Sequence, residues 1–578
     1  MLHKLSYFLN RKQKAGVAGL TLMIFIGALL ETLGVSAIIP IVQLMMTPDA
    51  AKVNGVFATL MNYLHIEDIT QVFLFLSGSM ICIYAVKNLY LLFLAYVQAR
   101  FVNSNEAETQ LKLLRWYLNR PYEYFLHSDV AVILRMIQSD VQNVFALLLC
   151  LMQMLTECMV SVCIGVFLLV TDWKMTLFLV VLLGTITLFI TRKLKSRIGA
   201  LGRKNQSYVA ILTKWILQSM NGIKVVKVME KEAFFEKNYE KDRGMQAKLN
   251  TKYAVFSTIP KLLLETLCIG GILAYLMICI VCGGDIAAMA GVMSAFAVAA
   301  FRVLPSVSRI STYLANISYY QPSLDLVYDM VQNEGYDEIF LNYVKKEGKN
   351  PAPLVMKSKV DLKQIDFEYP NTDRKILDHA DMEIPIGASV GIKGPSGAGK
   401  TTVVDILLGL LQVQSGEITC DGKNVMESKS SWLSKIGYIP QNVYLTDDTI
   451  RENIAFGEDK EAINEARVWE VLREAQLEEF VKELPEGLDT TIGEQGVRIS
   501  GGQKQRLGIA RALYHNPELL VFDEATSALD NDTEAAVMEA IEQFRGRKTM
   551  VIIAHRLKTI EKCDIIYEVK DGKIIRER

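Results

Sequence analysis

Six stretches of this chain are long and apolar enough to be candidate membrane spans, and they constrain the fold more than anything else in it. They fall near residues 17–46, 70–98, 143–170, 174–191, 252–281 and 286–306. A helix needs about 20 apolar residues to cross the hydrocarbon of a bilayer. The first run is too long for a cleaved leader and no small-residue cleavage site follows it. The expectation is therefore about six long helices, with cytoplasmic helical extensions over 99–142 and 192–251.

Basic residues set the orientation. Lys4, Arg11, Lys12 and Lys14 precede the first run, and Arg192, Lys193, Lys195, Arg197, Arg203 and Lys204 follow the fourth. The turns at Thr171–Lys174 and Gly283–Asp285 are short and nearly neutral. Positive charge marks the cytoplasmic side, so both chain ends are expected there. Between the first two runs, Phe57, Leu60, Met61 and Leu64 share one helical face. They fit either a short helix touching lipid or one packed on the ends of the spans.

At 578 residues the chain exceeds the roughly 250–300 at which a single core stops growing. It is 51% hydrophobic yet 22% charged, a mixture that reads as an apolar membrane region joined to a soluble domain. The net charge of −1 gives no sign of a nucleic-acid partner. Nine cysteines make no disulfide framework in a chain this long. Cys150, Cys158, Cys163 and Cys268 sit in apolar runs as small hydrophobes. Cys279 and Cys282 have CxxC spacing but no second pair or nearby histidine to complete a zinc set. The expected boundaries are a membrane domain over 1–332, a linker over 333–357 where Gly335, Gly348, Pro351 and Pro353 break the pattern, and a soluble domain over 358–578.

The soluble part carries the chemistry. An apolar strand runs into Gly394-Pro395-Ser396-Gly397-Ala398-Gly399-Lys400-Thr401-Thr402 and then into a helical pattern. Glycines let the backbone curl so that successive N–H groups face phosphate oxygens. Lys400 supplies a cation for the β- and γ-phosphates and the Thr401 hydroxyl a ligand for Mg²⁺. The following helix adds its positive end. A second apolar strand, Leu519–Phe522, ends at Asp523-Glu524, where parallel sheets bind ligands. Asp523 is the expected metal residue and Glu524 the expected base for the attacking water. A third strand over 549–554 leads to His555, placed to donate to the γ-phosphate. ATP and Mg²⁺ are thus the expected nucleotide and cofactor.

Ser500-Gly501-Gly502-Gln503-Lys504-Gln505-Arg506 resembles the signature sequence of the ATP-binding cassette (ABC) superfamily. Other family elements stand in order around it. Tyr369 resembles the aromatic that stacks on adenine, and Gln441 the Q-loop residue that links Mg²⁺ to the membrane domain. Asp530 resembles the D-loop acid and His555 the switch histidine. Thr490-x2-Gly493-Glu494-x-Gly496 is similar to the exporter X-loop. Ile499 stands where leucine is usual, a conservative departure. The resemblance implies an α-helical, exporter-type transmembrane domain fused to an α/β P-loop nucleotide-binding domain. It also implies ATP closed between one chain's P-loop and the signature of a second. One chain has one of each, so a two-fold homodimer is the simplest completion. Pro121–Leu126 and Asn221–Lys227 resemble the family's coupling segments.

Membrane-then-cassette order resembles exporters. Within the spans, Lys87, Lys261, Arg302 and Arg309 are cations, and such residues mark substrate paths by default. Together they suit a cavity for a phosphate or pyrophosphate; the plainer reading has them snorkel or pair with Glu31 and Glu265. The tract Arg302–Ile310, with Glu31-Thr32, resembles bacterial flippases of lipid-linked oligosaccharides, although that family tends to carry arginine where Lys87 and Lys261 stand. The expected activity is then ATP-driven flipping or export of an anionic glycolipid across the bacterial cytoplasmic (inner) membrane. Export of peptides or hydrophobic small molecules and an ATP-gated channel or regulator are the alternatives. A soluble ABC ATPase acting on DNA is disfavoured by the apolar spans.

Overall fold

The computed structural model describes residues 1–36, 69–171, 173–281, 286–333, 354–370, 372, 374–493, 496–524, 531–554 and 560–578. The segment 57–64, Cys282 and the greater part of the expected linker lie outside these residues. The chain divides into two compact units, one of Met1–Arg120 with Ser128–Tyr343, the other of Pro121–His127 with Val344–Arg578.

The first unit is helical. Its long helices are α1 (Arg11–Ser36), α2 (Ile69–Leu118), α3 (Val141–Thr171), α4 (Trp173–Asn221), α5 (Glu232–Val281) and α6 (Ile286–Asn333). Four apolar helical segments among the described residues are long enough to cross a membrane: Arg11–Gly34, Phe73–Leu118, Val130–Val166 and Glu232–Gly271. Parts of α4 and α6 have side chains outside the described set. At 50 residues, α2 and α5 each run about 75 Å, more than twice the roughly 30 Å of bilayer hydrocarbon. The surplus accounts for the predicted helical extensions. Along α2, Leu74, Ile81, Val86, Leu89 and Leu92 are exposed, an outer face that only lipid or another apolar surface can cover at low cost.

Helix α3 does not begin abruptly. Asp129 caps a short helix, Val130–Arg135, and a π-helical turn over Met136–Asp140 joins it to α3. Such turns are rare and mark irregular points in helices, and here Asp140, the last residue of the turn, is buried. Its carboxylate, 1% exposed, takes bonds from Arg135 Nε (3.0 Å), Gln206 Nε2 (2.6 Å) and Ser323 Oγ (2.9 Å). A buried charge requires this degree of pairing, and the network ties α3 to α4 and α6.

Helices α3 and α6 share a polar seam. Asn143 Nδ2 donates to Ser323 Oγ (3.1 Å), Asn316 Nδ2 to Cys150 Sγ (3.7 Å) and Arg309 Nη1 to Glu157 Oε1 (2.5 Å). One partner climbs by seven residues as the other falls by seven. The helices are therefore antiparallel with a heptad register, as expected when two helices stay in contact over several turns.

The second unit is α/β. Its strands are β1 (Lys359–Glu368), β2 (Lys375–Pro385), β3 (Ser389–Lys393), β4 (Ser415–Cys420), β5 (Lys423–Asn424), β6 (Ile436–Ile439), β7 (Leu519–Asp523), β8 (Thr549–Ile553), β9 (Ile565–Lys570) and β10 (Lys573–Arg576). One sheet has the order β2-β1-β4-β5 and is antiparallel; the other has the order β10-β9-β3-β8-β7-β6. Strands β9, β3, β8, β7 and β6 are mutually parallel. Every residue of β7 and β8 is buried, as the continuous apolar runs predict for strands covered on both faces. Leu354 and Met356 are also buried in this unit's core, so ordered packing begins before residue 358. The short helix Tyr122–His127 belongs here as well, with Gln412 N donating to Glu123 Oε1 at 2.6 Å.

Candidate nucleotide site

The site grows from the carboxyl edge of the parallel sheet. Strand β3 delivers the loop 394–399, which enters helix α7 (Lys400–Leu407). Gly394 holds φ +151°, and a Cβ there would stand 2.3 Å from the carbonyl oxygen of Val569. No other residue type fits without moving β9. At Gly397, φ is +78° and the Cβ direction is open, so nothing in the protein crowds the loop on that side. Lys400 is 4% exposed, with Nζ donating to the carbonyls of Gly394 (3.0 Å) and Pro395 (3.1 Å). The ammonium thus sits beneath the loop it serves. Pro395, Ser396 and Thr401 are exposed and Ala398 and Gly399 partly so, whereas Thr402 is buried and its Oγ1 lies 3.1 Å from the hydroxyl of Tyr369. That bond, and an edge contact with Phe367, fix the expected adenine platform beside the first turn of α7.

Strand β7 ends on Asp523, and β6, paired to β7 in register, ends two residues before Gln441. Asp523 is 6% exposed. Burial, then the Glu524 charge, raise its carboxyl, partly opposed by a bond with the Tyr438 hydroxyl and by the Lys400 charge. A carboxylate held at such cost favours a cation beside it. Burial and the Asp523 charge likewise hold Asp405, on α7, up to about 6. Glu524 adopts φ 49°, a left-handed conformation that costs a non-glycine residue about 1–3 kcal/mol and collects at functional sites. Its Oε2 accepts from Gln441 Nε2 at 2.7 Å. The structure thus brings the expected base and the expected Q-loop residue together.

A carboxylate, a hydroxyl and an amide oxygen are the hard donors that Mg²⁺ takes. Asp523, Thr401 and Gln441 supply such a set beside the glycine-rich loop, and the residues present fit Mg²⁺ and a polyphosphate. Among the described residues, Asp366, Asp378 and His379 also lie close enough to share a metal. Lys375 already pairs with both acids there.

The signature segment opens helix α8 (Gly501–Tyr514). Ser500 Oγ accepts from Gln503 N at 3.3 Å, and Gln503 Oε1 accepts from Ser500 N at 2.8 Å. This reciprocal capping box occupies the Gln503 side chain. Ser500 and Gly501 remain exposed while Gly502 is buried. The expected anion surface therefore rests on Ser500 and the first turn of α8, and Gln503 shapes it. Asp530, His555 and Glu494 lie outside the described residues.

The four span cations differ in setting. Lys87 is 9% exposed, its ammonium 4.4 Å from the ring centre of Tyr84. Lys261 is exposed, as is Glu265 one turn on. Arg302 lies on α6, its side chain outside the described set. Arg309 meets Glu157, a residue the sequence reading did not single out. Glu157 is the one charged residue among the 31 of α3, and that isolation was the available signal.

The family model described as "ABC transporter" matches residues 377–527, and the model "ABC transporter transmembrane region" matches residues 15–282. An "ATP-dependent lipid A-core flippase" of Desulfotalea psychrophila is 31% identical over 420 residues, 70% of this chain and 69% of that protein. One of the same name from Cupriavidus metallidurans is 29% identical over 491 residues, 83% and 80% of the two chains. The solved structure of a bacterial Atm1-family ABC exporter with ATP bound shares the fold. Its TM-score is 0.73 at 23% identity, covering 98% of this chain and 95% of that one. The chain belongs to the ABC transporter superfamily, as an exporter-type half-transporter that spans the membrane several times and couples ATP hydrolysis to transport.

Proposed function

We propose that this half-transporter works as a homodimer that moves an amphipathic anionic substrate, a lipid-linked oligosaccharide or related glycolipid, out of the cytoplasmic leaflet by alternating access. The observation that carries the substrate class is Arg309. It sits on a helix of the membrane unit and keeps 48% of its side-chain surface open. A guanidinium is too costly to leave facing hydrocarbon, and its fork suits phosphate oxygens. The flippase names of the relatives point to the same class. Arg302, Lys87 and Lys261 are assigned to the same anionic group. The membrane in question is the bacterial cytoplasmic membrane.

In this reading residues 1–332 form the transport domain and 358–578 the ATP-binding domain. Lys400 and the backbone N–H groups of the loop Gly394–Thr402, Pro395 excepted, hold the phosphates, and Tyr369 supports the adenine. Thr401, Asp523 and Gln441 hold Mg²⁺, which when bound offsets charge developing on the phosphates. Glu524, kept in place by Gln441, takes the proton of the attacking water, and His555 donates toward the γ-phosphate. Ser500–Gln503 and Asp530 face the nucleotide on the partner subunit. ATP binds better to the closed pair of cassettes than to the open one, and hydrolysis removes that preference.

The test is ATPase stimulation and flipping in proteoliposomes across pyrophosphate-linked glycolipids, phospholipids and peptides. Stimulation confined to the anionic glycolipids is expected; stimulation by peptides alone overturns the reading.

A further inference from the structure

The pair between Arg309 and Glu157 is asymmetric in three ways. Glu157 is nearly closed off, at 9% side-chain exposure against 48% for Arg309. The contact is single, from Nη1 to Oε1, although a guanidinium has five N–H donors in a planar fork. Glu157 Oε2 is buried and has no hydrogen-bond partner among the described residues. A pair built for stability alone would be bidentate, because a buried carboxylate oxygen left without a partner is costly.

The surroundings repeat the pattern. Ser161 lies one turn beyond Glu157 on α3, and Ser306 one turn before Arg309 on α6. Because α3 and α6 run antiparallel, both lie on the same side of the pair. The Oγ of each is buried with no partner among the described residues. The next step of the heptad register brings Ile164 of α3 level with position 302 of α6. Unspent polar capacity thus collects beside the pair, on the side leading toward Arg302.

We infer that Glu157 is a positioning residue for substrate recognition. It anchors Arg309 through one N–H from behind and leaves the rest of the guanidinium fork turned to the open side for the anionic group of the substrate. This rests on the reading of Arg309 as a substrate contact made above. Anchoring lowers the ordering cost that a long, flexible side chain pays on binding, so Glu157 contributes although it carries the same sign of charge as the ligand. Charge alone predicts the reverse, that removing Glu157 tightens binding, and this opposition makes the inference testable.

The experiment uses the full chain in nanodiscs of phosphatidylethanolamine and phosphatidylglycerol, with a polyprenyl-pyrophosphate-linked disaccharide as probe. The half-stimulating concentration and the maximal ATPase rate are read separately, and substrate-free hydrolysis controls for folding. Glu157→Ala is expected to raise the half-stimulating concentration about tenfold, the order for one misplaced charge-assisted bond. Glu157→Gln keeps an acceptor oxygen and is expected to restore it. Glu157→Ala added to Arg309→Ala is expected to cost nothing further, as for two residues acting through one contact. Tighter or unchanged stimulation by Glu157→Ala overturns the inference, as does full additivity or a Gln variant that behaves like Ala. Should Arg309→Ala itself leave the half-stimulating concentration unchanged, the substrate reading falls, and the role of Glu157 with it.

Discussion

The two units of this chain solve the same problem, holding charge away from bulk water, by opposite means. In the ATP-binding unit the charged groups of the site come from short segments at one edge of a sheet, and each is held by neighbours close in sequence or in strand register. Lys400 is held by carbonyls five and six residues back, and Ser500 and Gln503 cap one another. In the helical unit, beyond the local pair of Arg135 with Asp140, the partners are far apart: Asp140 with Ser323, Glu157 with Arg309. Local satisfaction fixes a site through motif; distant satisfaction fixes it through helix register. A change in one unit should therefore act on chemistry, and a change in the other on what the chemistry moves.

The largest expected effect lies in the first unit. Glu524→Gln should cut ATP hydrolysis by about 10²–10⁴-fold, the usual contribution of a general base, while ATP binding followed by fluorescent-nucleotide titration persists. Near-normal turnover would remove Glu524 from the base role. In the helical unit, neutralising Arg302 and Arg309 together should abolish flipping in liposomes while hydrolysis without substrate continues. If hydrolysis falls in step with flipping, the division of labour between the units is wrong. Tyr369→Ala should weaken ATP binding by about tenfold through loss of an aromatic platform, read by the same titration, with little change in the maximal rate.

The smallest effect is a pH dependence. Asp405 is held up to about 6 from 3.8, so the folded chain favours its neutral form. Its contribution to stability is full below about pH 4 and is lost as pH rises through about 6. Asp405→Asn should then melt above the parent chain at pH 7.5 and lose that advantage near pH 4.5, in thermal unfolding without nucleotide. An equal difference at both pH values would show that the carboxyl is not what the variant relieves.

The contrast also explains what could be read from sequence. The loop 394–402 and Asp523-Glu524 were legible as candidates because phosphate and metal binding demand fixed residue types at fixed spacing, whereas Gln441 and Ser500–Gln503 were legible only through their resemblance to the ABC superfamily. The capping role of Gln503 was legible in principle, from serine followed three residues later by glutamine. The six long helices followed from apolar length alone. Glu157 did not follow, because its partner lies 152 residues away and only the heptad register of α3 against α6 brings them together. The π-turn before α3 has no signature in composition, and neither does the burial of Asp140 at its end, whose partners Gln206 and Ser323 are distant in sequence. Burial of Leu354 and Met356 was hidden by the glycine- and proline-marked stretch in which they sit.

The central claim is that ATP hydrolysis in one unit drives an anionic glycolipid through the other. It is tested most directly by following a fluorescent pyrophosphate-linked glycolipid across proteoliposomes that contain the full chain, with and without ATP and Mg²⁺. The account predicts ATP-dependent movement by the parent chain and none by Glu524→Gln. Equal movement by both, or no ATP-dependent movement by the parent, would contradict it.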